Sequence, residues 1–184
     1  MKTGKRRSVF ARGFPLILAA VAALVFLAVS CGPTQYVLNE KFYFKVMTNV
    51  QYYPEQYVGA TFEMDCFTYR LTDVDGKTYL CGVRKCSAGY GCTCGKDTVI
   101  GFILDYDGEI PAPKNQSEDT NEKTWVHITG VMETAAKTAV RVYAYNAETD
   151  TLTDTVETIE FQTLKVQNIE IIEDYSGLNY YVTK

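Results

Sequence analysis

Histidine is almost missing from this 184-residue chain: His127 is the only one. No G-x-S-x-G, H-E-x-x-H or phosphate-cradling glycine loop occurs, so the usual signatures of hydrolases, zinc peptidases and nucleotide-binding proteins are absent. With one imidazole and no paired carboxylates poised for acid–base work, hydrolytic catalysis is not expected. Basic residues are also scarce where they would matter. Of 18 Lys and Arg, five (Lys2, Lys5, Arg6, Arg7 and Arg12) lie in the first twelve residues, leaving 13 after Cys31 against 22 Asp and Glu. A net charge near −9 on that part lacks the basic footprint that nucleic-acid binders need. Helix-favouring Ala and Leu thin out after Cys31, and no internal repeat is visible. Asp73, Asp75, Asp105, Asp107 and Glu109 sit in turn-like sequence with no twelve-residue EF-hand loop, so they read as turn chemistry.

What is present begins with export. Residues 1–30 combine the basic stretch with an apolar run from Phe14 to Val29, the order of a secretory signal. That run is slightly long for a signal and short for a helix crossing a ~30 Å hydrocarbon core. Leu27-Ala28-Val29-Ser30-Cys31 resembles a lipoprotein box, with Cys31 as the lipidated new N-terminus and Ala28 where a larger aliphatic is usual. An uncleaved anchor and plain secretion are the alternatives. Arg6-Arg7 reads as ordinary positive-inside charge. Each reading places Cys31 onward outside the cytoplasm and tethers or delivers the chain at a membrane.

The remainder has the length of one domain and a strand-forming composition rich in Tyr, Phe, Val, Ile and Thr. Residues 31–56 read as tether and lead-in, with a short helix or strand over 41–53 that ends before Pro54. Residues 60–71 alternate Phe62, Met64 and Cys66 against Glu63 and Asp65. Phe67 and Tyr69 then fall on the opposite parity, which predicts a bulge or bend near Cys66. Asp73-Val74-Asp75-Gly76 closes a hairpin returning over 77–83. Further strands are expected at 99–106, 125–133, 139–145, 151–162 and 164–173, with a surface loop over 111–123. The expected class is all-β: a small OB-fold-like barrel over 57–184 with an inserted Cys-rich loop, preceded by the apolar signal or anchor helix. A sandwich is the runner-up.

The insertion carries the densest chemistry. Cys81, Cys86, Cys92 and Cys94 fall within fourteen residues, among Gly82, Gly89, Gly91 and Gly95. Three chemistries suit them: a tetrathiolate for a thiophilic metal, Zn²⁺ first; two disulfides, each joining Cys92 or Cys94 to Cys81 or Cys86; or a redox dithiol at Cys92 and Cys94. The first is the leading expectation, although the C-x4-C-x5-C-x-C spacing is not that of a common zinc knuckle. Thiol redox chemistry is the one enzymatic activity left open. Cys66 reads as a buried small hydrophobe, His127 as a solvent-facing strand residue, and Trp125 as packing at a barrel rim.

Several stretches, taken in order, carry a resemblance. They are Tyr53-Pro54-Glu55-Gln56-Tyr57-Val58-Gly59, Phe67-Thr68-Tyr69-Arg70, Cys92-Thr93-Cys94-Gly95-Lys96-Asp97, Gly101-Phe102-Ile103-Leu104-Asp105-Tyr106-Asp107-Gly108, Trp125-Val126-His127-Ile128-Thr129-Gly130, Leu164-Lys165-Val166 and Asn179-Tyr180-Tyr181-Val182. Together they resemble the C-terminal domain of the bacterial two-component permease-subunit family, a domain of unknown function. The resemblance implies an extracytoplasmic accessory domain serving an integral-membrane permease, linked to metal or small-solute handling. It also brings in Asp97, after Cys94-x-x, as a ligand or second-layer partner of a metal. The chain departs from the family in having one export segment where a membrane domain is usual. The family's adjacent cysteine pair is split here by Thr93.

Overall fold

A computed structural model describes residues 34–86, 98–146, 149 and 151–182. The apolar export segment, Cys31, Cys92, Cys94 and Asp97 lie outside the described residues. The compact unit runs Gln35–Lys184. It contains strand β1 (Gln35–Leu38), helix α1 (Tyr43–Tyr52), a single 3-10 turn (Pro54–Tyr57), then β2 (Thr61–Thr72), β3 (Thr78–Cys86), β4 (Thr98–Asp105), β5 (Trp125–Val131), β6 (Lys137–Asn146), β7 (Thr151–Ile171) and β8 (Tyr181–Val182). The described residues are mostly β.

The unit starts earlier than the expected boundary at residue 57. Leu38, Tyr43, Phe44, Met47 and Val50 are buried and pack into the main core, so most of the lead-in is domain and not tether. The spacing Tyr43, Phe44, Met47, Val50 puts one apolar stripe on α1. The helix stops at Tyr53, the residue that Pro54 disfavours in helical geometry.

Hydrogen-bonded neighbours follow the order β1-β2-β5-β7-β4-β3-β8, with β6 on β7 and an additional β2–β3 pairing. The path β2-β5-β7-β4-β3 thus returns to β2. Most pairs are antiparallel, but β4 and β7 run parallel, Phe102 opposite Gln162 through Asp105 opposite Lys165. The β2–β3 hairpin closes as its sequence suggests: Asp73 Oδ1 accepts the Asp75 amide at 2.9 Å and Gly76 takes φ 84°, a left-handed turn position that suits glycine. Where β4 crosses β3, a Cβ on Gly101 would stand 2.0 Å from the Gly82 carbonyl oxygen. Only glycine permits that approach.

Two buried clusters use opposite parities of the same strands. The interior cluster holds Phe62, Met64, Cys66, Phe102, Leu104, Val126, Ile128, Leu164 and Val166. The outer cluster holds Phe67, Leu71, Cys81, Val83, Ile103, Trp125, Val140, Phe161 and Tyr180. β3 and β4 are therefore buried on both faces, which erases the alternation a half-exposed strand would show. The parity change after Cys66 has the same origin. At Phe67 the β5 ladder of β2 ends and its β3 ladder begins, with no register shift in either. So β2 changes partners at the place where a bulge or bend was expected, and the residues after Cys66 face a second core. The two strands expected at 151–162 and 164–173 are one strand of 21 residues. Its first half pairs only β6 and projects as an arm, while its second half joins β4 and β5.

Candidate functional site

β3 carries the two described members of the cysteine cluster, and it separates them. Cys81 and Cys86 are five residues apart on a strand whose pairing with β4 is continuous from Cys81–Ile103 to Cys86–Thr98. Strand rise puts them about 17 Å apart along the chain, and an odd spacing turns them to opposite faces. Cys81 is fully buried in the outer cluster and Cys86 is buried in the interior one. One Zn²⁺ needs its sulfurs about 2.3 Å away; β3 carries Cys81 and Cys86 into separate clusters, and the other two expected ligands, Cys92 and Cys94, lie outside the described residues. The return strand expected over 77–83 runs on to Cys86, so one regular strand holds both cysteines.

Cys66, Cys81 and Cys86 are free thiols. Burial pushes Cys81 and Cys86 up to about 12 from an ordinary 9.0, and burial raises Cys66 as well. A desolvated neutral thiol is a poor nucleophile and a poor ligand. Cys66 behaves as the small interior hydrophobe expected from its alternation. Among the described residues, no group of three or more His, Cys, Asp or Glu side chains could hold a metal ion.

Arg84, between the two cysteines, is 1% exposed. Its Nη1 donates to the Asp65 carbonyl at 3.0 Å, and its Nη2 donates to Glu40 and to the Asn179 carbonyl. The guanidinium lies 4.8 Å from the Trp125 ring centroid and 5.6 Å from that of Tyr43. Burying this cation is costly unless it is paired and bonded; one carboxylate, two carbonyls and two ring faces offset much of the cost, while Nε is buried without a partner. The bonds tie the segment after β1, the middle of β2 and the segment before β8 to one point. Sequence reading missed this knot. The available signal was a charged residue on the inward parity of Gly82, Arg84 and Cys86, and its partner Glu40 was hidden in what read as tether.

His127 projects from β5, partly exposed as expected. Its Nδ1 lies 2.7 Å from Asp65 Oδ1, and its Nε2 lies 3.7 Å from Glu63 Oε1. The two ring nitrogens face different carboxylates, so the imidazole bridges Asp65 and Glu63 across the sheet surface. Trp125 is more deeply placed than a rim residue: it is 1% exposed and its indole donates to the Asn121 carbonyl at 2.9 Å.

The β6–β7 arm presents the other candidate surface. Tyr143 stands opposite Val156 in register, and both are about half exposed, with Leu152 more so. Asp154, Glu157 and Glu160 lie along the same half of β7 without a basic residue. The arm is anchored at Arg141, whose amide donates to Asp73 Oδ2 at 2.8 Å and whose guanidinium meets Asp73 at 3.0 Å and Asp75. Amide donation from Asp75 and Arg141 holds the Asp73 carboxyl down to about 2.

A family model described as the DUF1980 C-terminal domain matches residues 31–157. It spans more than half of the chain, from Cys31 through β1, α1 and β2 to β6 into the first part of β7, stops before the part of β7 that pairs β4 and β5, and includes the lead-in that the core absorbs. The chain belongs to this family of unknown function. Comparison with curated proteins and with solved structures returned no match.

Proposed function

We propose that this member of the DUF1980 C-terminal domain family is a membrane-tethered, extracytoplasmic binding module that serves an integral-membrane partner through its β6–β7 arm. The observation that carries the reading is the arm itself: a projecting hairpin with Tyr143, Leu152 and Val156 exposed on an acidic strand, clamped at its root by Arg141 and Asp73. Aromatic and aliphatic side chains within a charged rim are the usual make-up of a recognition surface. A permease is the partner that the family resemblance suggests, and the arm's acidity calls for a basic rim on it. The ring of β2, β3, β4, β7 and β5 with its parallel β4–β7 pair supports a small closed barrel of the OB type as the scaffold. Such barrels commonly recognise ligands through loops and hairpins at one side.

Catalysis is not part of this reading. The export segment and the lipoprotein-like box support tethering through Cys31.

The test is site-specific photocrosslinking from position 143 in cells that make the full chain. The expected product joins the chain to an integral-membrane protein and disappears in Leu152→Asp with Val156→Asp. Crosslinks that persist unchanged in that double variant would falsify the arm as the recognition surface. Fractionation of Cys31→Ala tests the tether separately: release from the membrane supports lipidation, and retention favours an uncleaved anchor.

A further inference from the structure

The apolar surface of this domain is unevenly placed. Five of the nine exposed large hydrophobic residues among those described, Val37, Phe42, Tyr52, Tyr53 and Val58, fall between β1 and the start of β2. Three of them gather where the chain enters the domain. Gln35 pairs with Thr61, three residues after Val58. Tyr36 packs its ring on Tyr57 at 5.1 Å, within the 3-10 turn that Tyr53 and Val58 flank. Helix α1 runs back after β1 and delivers Tyr52 and Tyr53 to that turn.

Charge follows the same division. Residues 35–58 carry Lys41 and Lys45 against Glu40 and Glu55, a net of zero. The remaining residues, 59–184, carry 11 basic against 20 acidic side chains. The entry segment is therefore neutral and aromatic in an acidic domain, and an anionic bilayer repels it less than the segments that follow.

Chain length brings that face to a membrane. Gln35 is four residues beyond Cys31 and six beyond the end of the apolar run, so the covalent reach from Cys31 is at most about 14 Å. Either form of tether, a lipidated Cys31 or a retained apolar segment, keeps the start of β1 within about 14–21 Å of the bilayer and allows it to sit at headgroup depth. Tyrosine rings are suited to that layer, with an apolar body and a polar tip.

We propose that Tyr52, Tyr53 and Val58 form a membrane-docking face that lies in the headgroup layer of the bilayer to which the chain is tethered, fixing the orientation of the domain. The proposal rests on the tethered reading above and adds a surface and an occupant to it. With the entry end down, the β2–β3 turn is carried away from the bilayer, since β2 spans up to about 36 Å from Thr61 to Thr72.

The test uses the full chain reconstituted in vesicles of phosphatidylethanolamine and phosphatidylglycerol, with and without brominated acyl chains. Tyr53→Trp and Lys77→Trp place indole reporters at the entry end and the β2–β3 turn, over the same buried Trp125 background. Both positions are exposed, so neither substitution disturbs the core. Flotation is read first. The expected result is that both proteins float, that Tyr53→Trp emission is blue-shifted and loses intensity with brominated lipid, and that Lys77→Trp emission does neither. Flotation with no quenching at position 53, or equal quenching at both positions, overturns the docking face while leaving the tether standing. A chain that does not float overturns the tether and the docking face with it.

Discussion

The interior cluster and the outer cluster are built from the same strands and differ in how they are closed. The interior one is enclosed by paired strands that return on themselves: Phe62, Phe102, Ile128 and Leu164 meet from four of them, all fully buried. Phe62 and Phe102 meet edge-on at 5.1 Å. The outer one is closed by single segments laid over β2, β3 and β4: Tyr175, Leu178 and Tyr180 from the C-terminal stretch, and Val140 and Phe161 from the base of the arm. A core closed by a continuous ladder loses stability when one side chain is cut. A core closed by overlaid segments depends on the polar ties that hold those segments down, here Arg84 with Glu40 and Asn179.

The sharpest test of that difference is Phe62→Ala. An interior ring with partners on every side leaves a cavity the ladder cannot collapse around, and unfolding free energy should drop by about 3–5 kcal/mol in denaturant titration. A loss below about 1 kcal/mol, the range of an ordinary surface change, would break the comparison at its root. Glu40→Gln comes next. It leaves the Arg84 guanidinium with carbonyl partners only, and a cost of about 1–3 kcal/mol is expected. The loss should be accompanied by faster proteolysis of the stretch around Asn179, with the interior cluster still protected from hydrogen exchange. Uniform loss of protection in both clusters would show that they unfold as one.

Alkaline pH probes both clusters, through Cys81 in the outer one and through Cys66 and Cys86 in the interior one. Cys81 and Cys86 have folded values near 12 against an ordinary 9.0, so between those values the unfolded chain has released protons that the folded chain keeps. Stability therefore falls as pH rises above about 9. The slope is about 1.4 kcal/mol per pH unit for the Cys81 thiol while that difference is complete. Cys81→Ala and Cys86→Ala should each flatten the fall, and neither wild-type thiol should react with a thiol reagent at pH 8 in the folded protein. Rapid modification of either one would place it outside its cluster. The smallest effect is expected at the arm. Leu152→Ser touches neither core and should change stability by no more than about 0.5 kcal/mol, while weakening the crosslink from position 143.

Much of the chain's organisation was legible beforehand. The hairpin at Asp73 to Gly76, the strands at 98–105, 125–131 and 137–146, and the interior place of Cys66 follow from turn chemistry and period-two alternation. The misreadings cluster where burial is two-sided. Phe67 suggested a bulge because a second core was not foreseen on its face. The return strand was expected to end at Val83, but it runs on to Cys86, because Arg84 and Lys85 give no sign of a strand buried on both faces. The lead-in's short element over 41–53 was visible in sequence, but its packing into the core was not, because the apolar stripe of α1 is only ten residues long and begins without a side-chain cap.

Local pattern determined which residues become strands and turns, and an apolar run after basic residues set the expectation of export, because those signals extend over a few residues. Only the tertiary structure decided which strand faces meet, since register and ring closure join residues far apart in sequence. Arg84 finds Glu40 across 44 positions and Asn179 across 95. Cys81 and Cys86, five positions apart, are carried to separate cores by the two-residue period of the strand that contains them.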